Sequence, residues 1–393
     1  MTPGNAAEGV HAPSDRKELP DMKALRQAIP ASCFEPSLAT SMFYVIRDIL
    51  LAGALFYASV QLTKLESSPL SVLLWLTYGL FQGFVFTGIW ILGHECGHDA
   101  FSLHRRVNSI VGFILHSCLL VPFFSWKFSH SRHHRYANHM EKDTVFVPAR
   151  KSEFRSGFLA KTFLSHAEDA PIVAVVLLLG HQLLGWPAYI IANAAAGTRS
   201  LVRQDRKQSF RQSHLDPWAD LFSPREQPYV ALSTVGLAAV LYVLWTLSRS
   251  VGLLNMCLIY GMPYLWMNHW LVAITFLHHT HPDVPHYEEG SWTFQNGALS
   301  TIDRDFGFVG KHLFHGIIEF HVVHHLFSRI PFYHAEEATE AIKPLLGDAY
   351  RRQTSSFLGD LWHTFNKCRY VEEHAKRPGC TSWVAVGHER KLL

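Results

Sequence analysis

The sequence predicts an all-α integral membrane protein: four transmembrane helices with a cytosolic helical cap that holds a metal site. Three observations lead there. Of the 393 residues, 48% are apolar and only 17% charged, and mean hydropathy is positive, which is high for a water-soluble chain of this length. Several apolar stretches reach the roughly 20 residues that a helix needs to cross a bilayer. The 26 histidines, close in number to the 32 acidic residues, fall largely in tight groups.

Taken in order, residues 1–40 mix Pro, Gly, Ser and both charges and read as a cytosolic tail with one short helix. The stretches 43–62, broken only by Arg47 and Asp48, and 72–92, uncharged throughout, predict a hairpin of two spanning helices. Residues 110–124 are too few to span and include His116, so this segment is expected in the interface or packed inside. Stretches 171–196, 229–247 and 253–277 follow. Histidine groups near 94, 130 and 321 share chemistry only if an even number of crossings separates them. Arg203, Arg206, Lys207 and Arg211 place the 201–212 loop in the cytosol. The 229–247 helix then leaves and 253–277 returns. The 171–196 segment must therefore begin and end on the cytosolic side, turning or lying flat around Gly185-Trp186-Pro187. Residues 41–350 form the membrane domain and 351–393 a second cytosolic tail.

A net charge of +3, spread rather than gathered, argues against a nucleic-acid partner. The six cysteines form no C-x-x-C pair, so neither a disulfide framework nor a zinc knuckle is indicated.

Three histidine groups carry the chemistry. "HECGH" sets His94 and His98 four apart; "HSRHH" and "HVVHH" set His130, His133, His134 and His321, His324, His325 at i, i+3, i+4, on one broad helix face. Eight imidazoles exceed the four ligands of a tetrahedral zinc and suit two ions of higher coordination with open positions, iron before others. Carboxylates are expected behind them, each accepting a second ring N–H; the candidates are Glu95, Asp99, Asp143, Asp303, Asp305 and Glu319. "LHHTHP" offers His278, His279 and His281 as the source of a ninth ligand. His104, His116, His181, His269 and His334 stand alone and read as structural, and His315 lies off the ligand face. "HECGH" also fits H-E-x-x-H, the zinc metalloprotease pattern with Glu95 as base, but that reading leaves both H-x-x-H-H groups idle. A metal transporter, the third reading, would spread its histidines through the bilayer depth.

The boxes "GHECGHDAF", "HSRHH" and "HVVHHLF" resemble those of the membrane fatty acid desaturases, most closely the oleate delta-12 branch of fungi and plants. The similarity continues through "LLGWPAYIIAN", "HTHPDVPHY", "LSTIDRDFGFVGKHLFHGIIE" and "SRIPFYHAEEATEAIKPLLG". The resemblance implies a di-iron centre on the cytosolic face of the endoplasmic reticulum, held by His94, His98, His130, His133, His134, His321, His324 and His325, with His279 as the ninth ligand. It implies O2 as co-substrate and an acyl-lipid or acyl-CoA substrate. The chain carries no H-P-G-G haem-attachment stretch, so electrons from NAD(P)H are expected through a separate cytochrome b5 and its reductase. Desaturation of oleoyl to linoleoyl is the expected reaction. Gly93 where alanine is usual, Asp99 for glutamine or histidine, and Phe320 for threonine point to the alternative, a divergent member such as a delta-15 desaturase, acetylenase, conjugase or epoxygenase. Arg390-Lys391-Leu392-Leu393 resembles a dibasic retrieval signal of the endoplasmic reticulum.

Overall fold

The computed structural model describes residues 19–156, 171–203 and 212–384, with the side chains of 154–156 left out. Most of the basic 201–212 loop and the final Arg390-Lys391-Leu392-Leu393 therefore lie outside the described residues.

Helix α1 (Met22–Ala28) starts at Asp21, whose carboxylate accepts the Ala24 N–H. α2 (Leu38–Leu62) is capped by Ser37, and α3 (Pro69–Gly97) by a Ser68–Ser71 capping box with Pro69 in its first turn. These signals fold the polar link between two apolar runs into a hairpin. With 29 residues, α3 is about 43 Å long, enough for its last turns to clear a hydrocarbon core of roughly 30 Å. Its packing face is built from glycines. A methyl at Gly83 would lie 2.3 Å from Trp266 Cβ, and one at Gly97 2.7 Å from Trp126 Cζ3, so these neighbours rest on the helix backbone itself.

Helices α4 (Arg105–Cys118) and α5 (Phe123–Tyr136) meet at 108°. Leu120 turns the corner at φ 55°, Pro122 prevents α4 from continuing, and the freed Phe124 N–H donates to Ser233 Oγ at 2.9 Å. The stretch 110–124 is thus a helix end, a corner and a helix start. The short α6 (Lys151–Ser156) precedes α7 (Pro171–Ala192) and α8 (Gln227–Val251). α9 (Leu253–Met256) passes through a π-helical turn (Cys257–Gly261) into α10 (Met262–His279). The Tyr78 hydroxyl donates to the Ile259 carbonyl inside that turn, at 2.7 Å.

Four helices, α2, α3, α7 and α8, are long and apolar enough to cross a membrane. Phe43, Ile46 and Leu50 on α2 and Val235, Leu241 and Tyr242 on α8 face outward, as in a multi-pass protein solvated by lipid. Three of the four match or overlap expected elements directly. The 253–277 stretch is helical but split by the π turn, and α10 carries Asn268, His269, His278 and His279. Of the two arrangements expected around Gly185-Trp186-Pro187, a turn or a flat-lying segment, the turn is not formed: α7 is one helix through Pro187. A proline removes one hydrogen bond, whereas a turn in apolar surroundings would strand several backbone groups.

The cap comprises α11 (Phe294–Leu299), α12 (His321–Leu326), α13 (Ala335–Leu346) and α14 (Phe357–Lys367). Two small sheets pin it: β1 (Asp303–Arg304) runs parallel to β2 (Arg352–Gln353), and β3 (Tyr370–Glu373) antiparallel to β4 (Thr381–Val384). Among the described residues, both expected tails are packed against the rest of the chain. Leu25, Ile29 and Cys33 are buried in one core with Val322, Val323 and Leu326 of α12. At the other end, Arg304, 1% exposed, is paired with Asp360 of α14 at 2.6 Å, and Trp383 stacks on Phe146.

Candidate metal centre

The nine histidines singled out by sequence lie together. His94 and His98 come from the end of α3, His130, His133 and His134 from α5, His279 from the last turn of α10, and His321, His324 and His325 from α12. They fall into two sets. Ring nitrogens of His94, His98, His130, His134 and His324 lie within 4.8 Å of one another, and so do those of His133, His279 and His325. His321 adjoins the second set, its Nε2 3.1 Å from His325 Nε2 and 3.4 Å from His279 Nε2.

This division follows from helix geometry. Positions i and i+4 stand roughly 40° apart around an α-helix, while i+3 lies about 100° from i+4. Each H-x-x-H-H group therefore sends its i, i+4 pair to one set and its i+3 imidazole to the other. The shared face read from sequence is really two neighbouring faces.

The donor set fits metal ions. Burial together with neighbouring imidazoles holds His324 and His325 well below the ordinary histidine range, and burial holds His321 down to about 3. Neutral rings offer lone pairs. His133 Nδ1 donates to Asp143 Oδ1 at 2.7 Å, which turns its Nε2 toward His279 Nε2, 3.2 Å away. His94 and His98 approach at 3.3 Å, and His130 and His134 at 3.1 Å. Imidazole nitrogens bound to one cation at about 2.0–2.1 Å would be roughly 3.0–3.4 Å apart, so the observed spacings match a shared ion.

The expected carboxylates divide. Asp143 is the clear orienting partner, its position fixed by N–H bonds from Asn138 and Val145. Glu95 lies 3.5 Å from His94 Nδ1 but accepts the Phe332 N–H. Asp303 accepts the Val322 N–H and the Tyr350 hydroxyl and so steadies the start of α12; burial raises its carboxyl to about 7. Asp99 faces Lys127, Arg105 and Arg329, Asp305 faces Arg352, and Glu319 accepts the Phe306 N–H. For these three no contact with a site histidine is seen among the described residues. His321 donates instead to a carbonyl, that of Ile317, at 3.3 Å. His278 stacks on His321, and His315 pairs with Asp48 on α2.

A cavity of about 420 Å³ shares its wall with His130 of the first set and His133, His279, His321 and His325 of the second. Leu184, Val272, Phe276 and Phe146 make much of the rest apolar, with Trp90 and Trp126 beside the histidines. These indoles were not singled out by sequence reading, although a signal was present: "WILGH" and "WKFSH" each place a tryptophan one helical turn before a histidine. Trp126 stacks on His130 with centroids 4.5 Å apart, and Trp90 leans on His94 at 5.5 Å.

Comparison with known proteins shows what the chain is similar to. The family described as fatty acid desaturase matches residues 67–357. An oleate hydroxylase of Claviceps purpurea is 43% identical over 388 residues, spanning 95% of this chain and 81% of that protein. A delta(12) fatty acid desaturase of Mortierella isabellina is 44% identical over 370 residues, 91% of this chain and 90% of that protein. A delta(12) acyl-lipid conjugase (11E,13E-forming) of Impatiens balsamina is 41% identical over 348 residues, 88% of this chain and 86% of that protein.

Proposed function

The chain belongs to the fatty acid desaturase family and is an oxidoreductase, and from this we propose that it converts oleoyl to linoleoyl chains by delta-12 desaturation. His94, His98, His130, His134 and His324 hold one iron in this reading, and His133, His279, His321 and His325 the other. Bound there, the iron pair supplies the oxidising power of O2 that an unactivated methylene demands. The balance is –CH2–CH2– with O2, two electrons and two protons giving –CH=CH– and two waters. Electrons come from NAD(P)H through cytochrome b5 and its reductase, on the cytosolic face of the endoplasmic reticulum.

The residues of the chain do the rest. Asp143 keeps the His133 proton on Nδ1, so Nε2 is free to ligate. Trp90, Trp126 and the aliphatic walls exclude water and hold an acyl chain against the histidines. The observation that carries the reading is that one largely apolar cavity is walled by histidines of both sets. A second reading, in which oxygen is retained as a hydroxyl or the double bonds become conjugated, is favoured by the names of the Claviceps and Impatiens relatives.

Expression in a yeast that makes oleate but no linoleate, followed by gas chromatography and mass spectrometry, tests the proposal. Linoleate is expected. A hydroxy, conjugated, epoxy, acetylenic or trienoic product would move the assignment within the family. Unchanged lipids with every monoene and diene supplied, from membrane-inserted and iron-loaded protein, would overturn it.

A further inference from the structure

His116 on α4, read from sequence as an isolated structural histidine, touches both indoles of the cavity wall. It is fully buried, and its Nε2–H donates to the Trp90 carbonyl at 2.9 Å. Its ring stacks on Trp90 (5.4 Å, 17°) and meets Trp126 edge-on at 5.0 Å. Those two indoles lean in turn on His94 and His130 and line the cavity. The imidazole has no slack. A methyl built on Gly93 would lie 2.2 Å from its Cδ2, and Phe123 packs on it at 5.4 Å. Residue 116 is therefore a wedge between the α3 backbone and the tryptophans, and residue 93 sets how deep it sits.

We propose that His116 is a positioning residue for the acyl chain: through Trp90 and Trp126 it sets which methylenes stand before the metal centre, and hence where oxidation falls. A misplacement of 1 Å can cost about 100-fold in rate, so small shifts of these rings suffice to redirect the reaction. The role rests on the desaturase reading of the site. A phenyl ring keeps an aromatic wedge in place but is larger and lacks the N–H whose bond fixes the plane, which makes His116→Phe an informative companion to His116→Ala.

The test compares wild type, His116→Ala, His116→Phe, Gly93→Ala and the double variant Gly93→Ala/His116→Ala in the same yeast, with iron per chain and product positions measured for each. Conversion is expected to fall about tenfold in Gly93→Ala, where the new methyl drives the imidazole into the indoles, and to recover in the double variant, where it meets no ring; coupling of this kind marks residues in contact. His116→Ala and His116→Phe are expected to keep their iron while minor positional isomers rise several-fold, a change that general loosening would not produce. An unchanged isomer ratio in both iron-loaded His116 variants, or a double variant no better than Gly93→Ala, overturns the role of His116 alone. Failure of the wild type to oxidise any acyl chain removes the desaturase reading and this inference with it.

Discussion

Asp143 illustrates how much one carboxylate decides. Its Oδ1 accepts the His133 Nδ1–H while its Oδ2 accepts the Asn138 N–H. In Asp143→Asn the amide NH2 must face one of these donors, and in either orientation the negative charge that holds the His133 proton on Nδ1 is gone. Iron affinity, measured by chelator competition, is expected to drop about 10- to 100-fold with the protein still folded. His324→Ala should abolish product while the protein remains in the membrane fraction; turnover above a few per cent of wild type would remove His324 from the ligand set. The histidines were legible because helical spacing alone brings i, i+3 and i+4 to one side. Asp143 could only be one of six candidates, since its contact with His133 depends on the left-handed Asn138, φ 56°, in the turn between them. His116 carried no pattern of its own. Its importance comes from Gly93 across the helix pair, a contact that neither residue announces in sequence.

Among the elements, α3 and α10 matter most, because each ends in histidines and the two lie backbone to side chain at Gly83 and Trp266. Gly83→Ala must force them apart, and destabilisation of about 1–3 kcal/mol is expected in detergent melts. The pairing of Arg304 with Asp360 bears on the same end of α10, since Arg304 Nε also donates to the Leu277 carbonyl at 3.1 Å. Asp360→Ala leaves a buried guanidinium without its counter-charge and should cost about 3 kcal/mol, read as a lower melting temperature. Length and apolarity made α2, α3 and α8 visible within a few residues. The return of the C-terminal segment was not visible, because strands of two and four residues are too short to show a period. For 171–196, crossing parity suggested a segment that turns or lies flat around Gly185-Trp186-Pro187; of these the turn is not formed, since apolar surroundings disfavour a break in the helix.

For the molecule as a whole, the proposed function carries a sidedness with it: we propose that the cap and both ends of the chain lie on the cytosolic side. Glycosylation acceptor sites inserted in the 63–68 link and beside Gly252 are expected to be modified in the lumen, while sites placed before α1 and after β4 stay unmodified. Sugar on either terminal site would reverse the arrangement.

The contact of Leu25, Ile29 and Cys33 with α12 joins the first helices described to one made some three hundred residues later. During synthesis that early stretch must wait at the ribosome until some three hundred further residues have been made and threaded into the bilayer. Assembly of the nine-histidine site is then a late event, because α12 supplies three of its rings and leans on that early stretch.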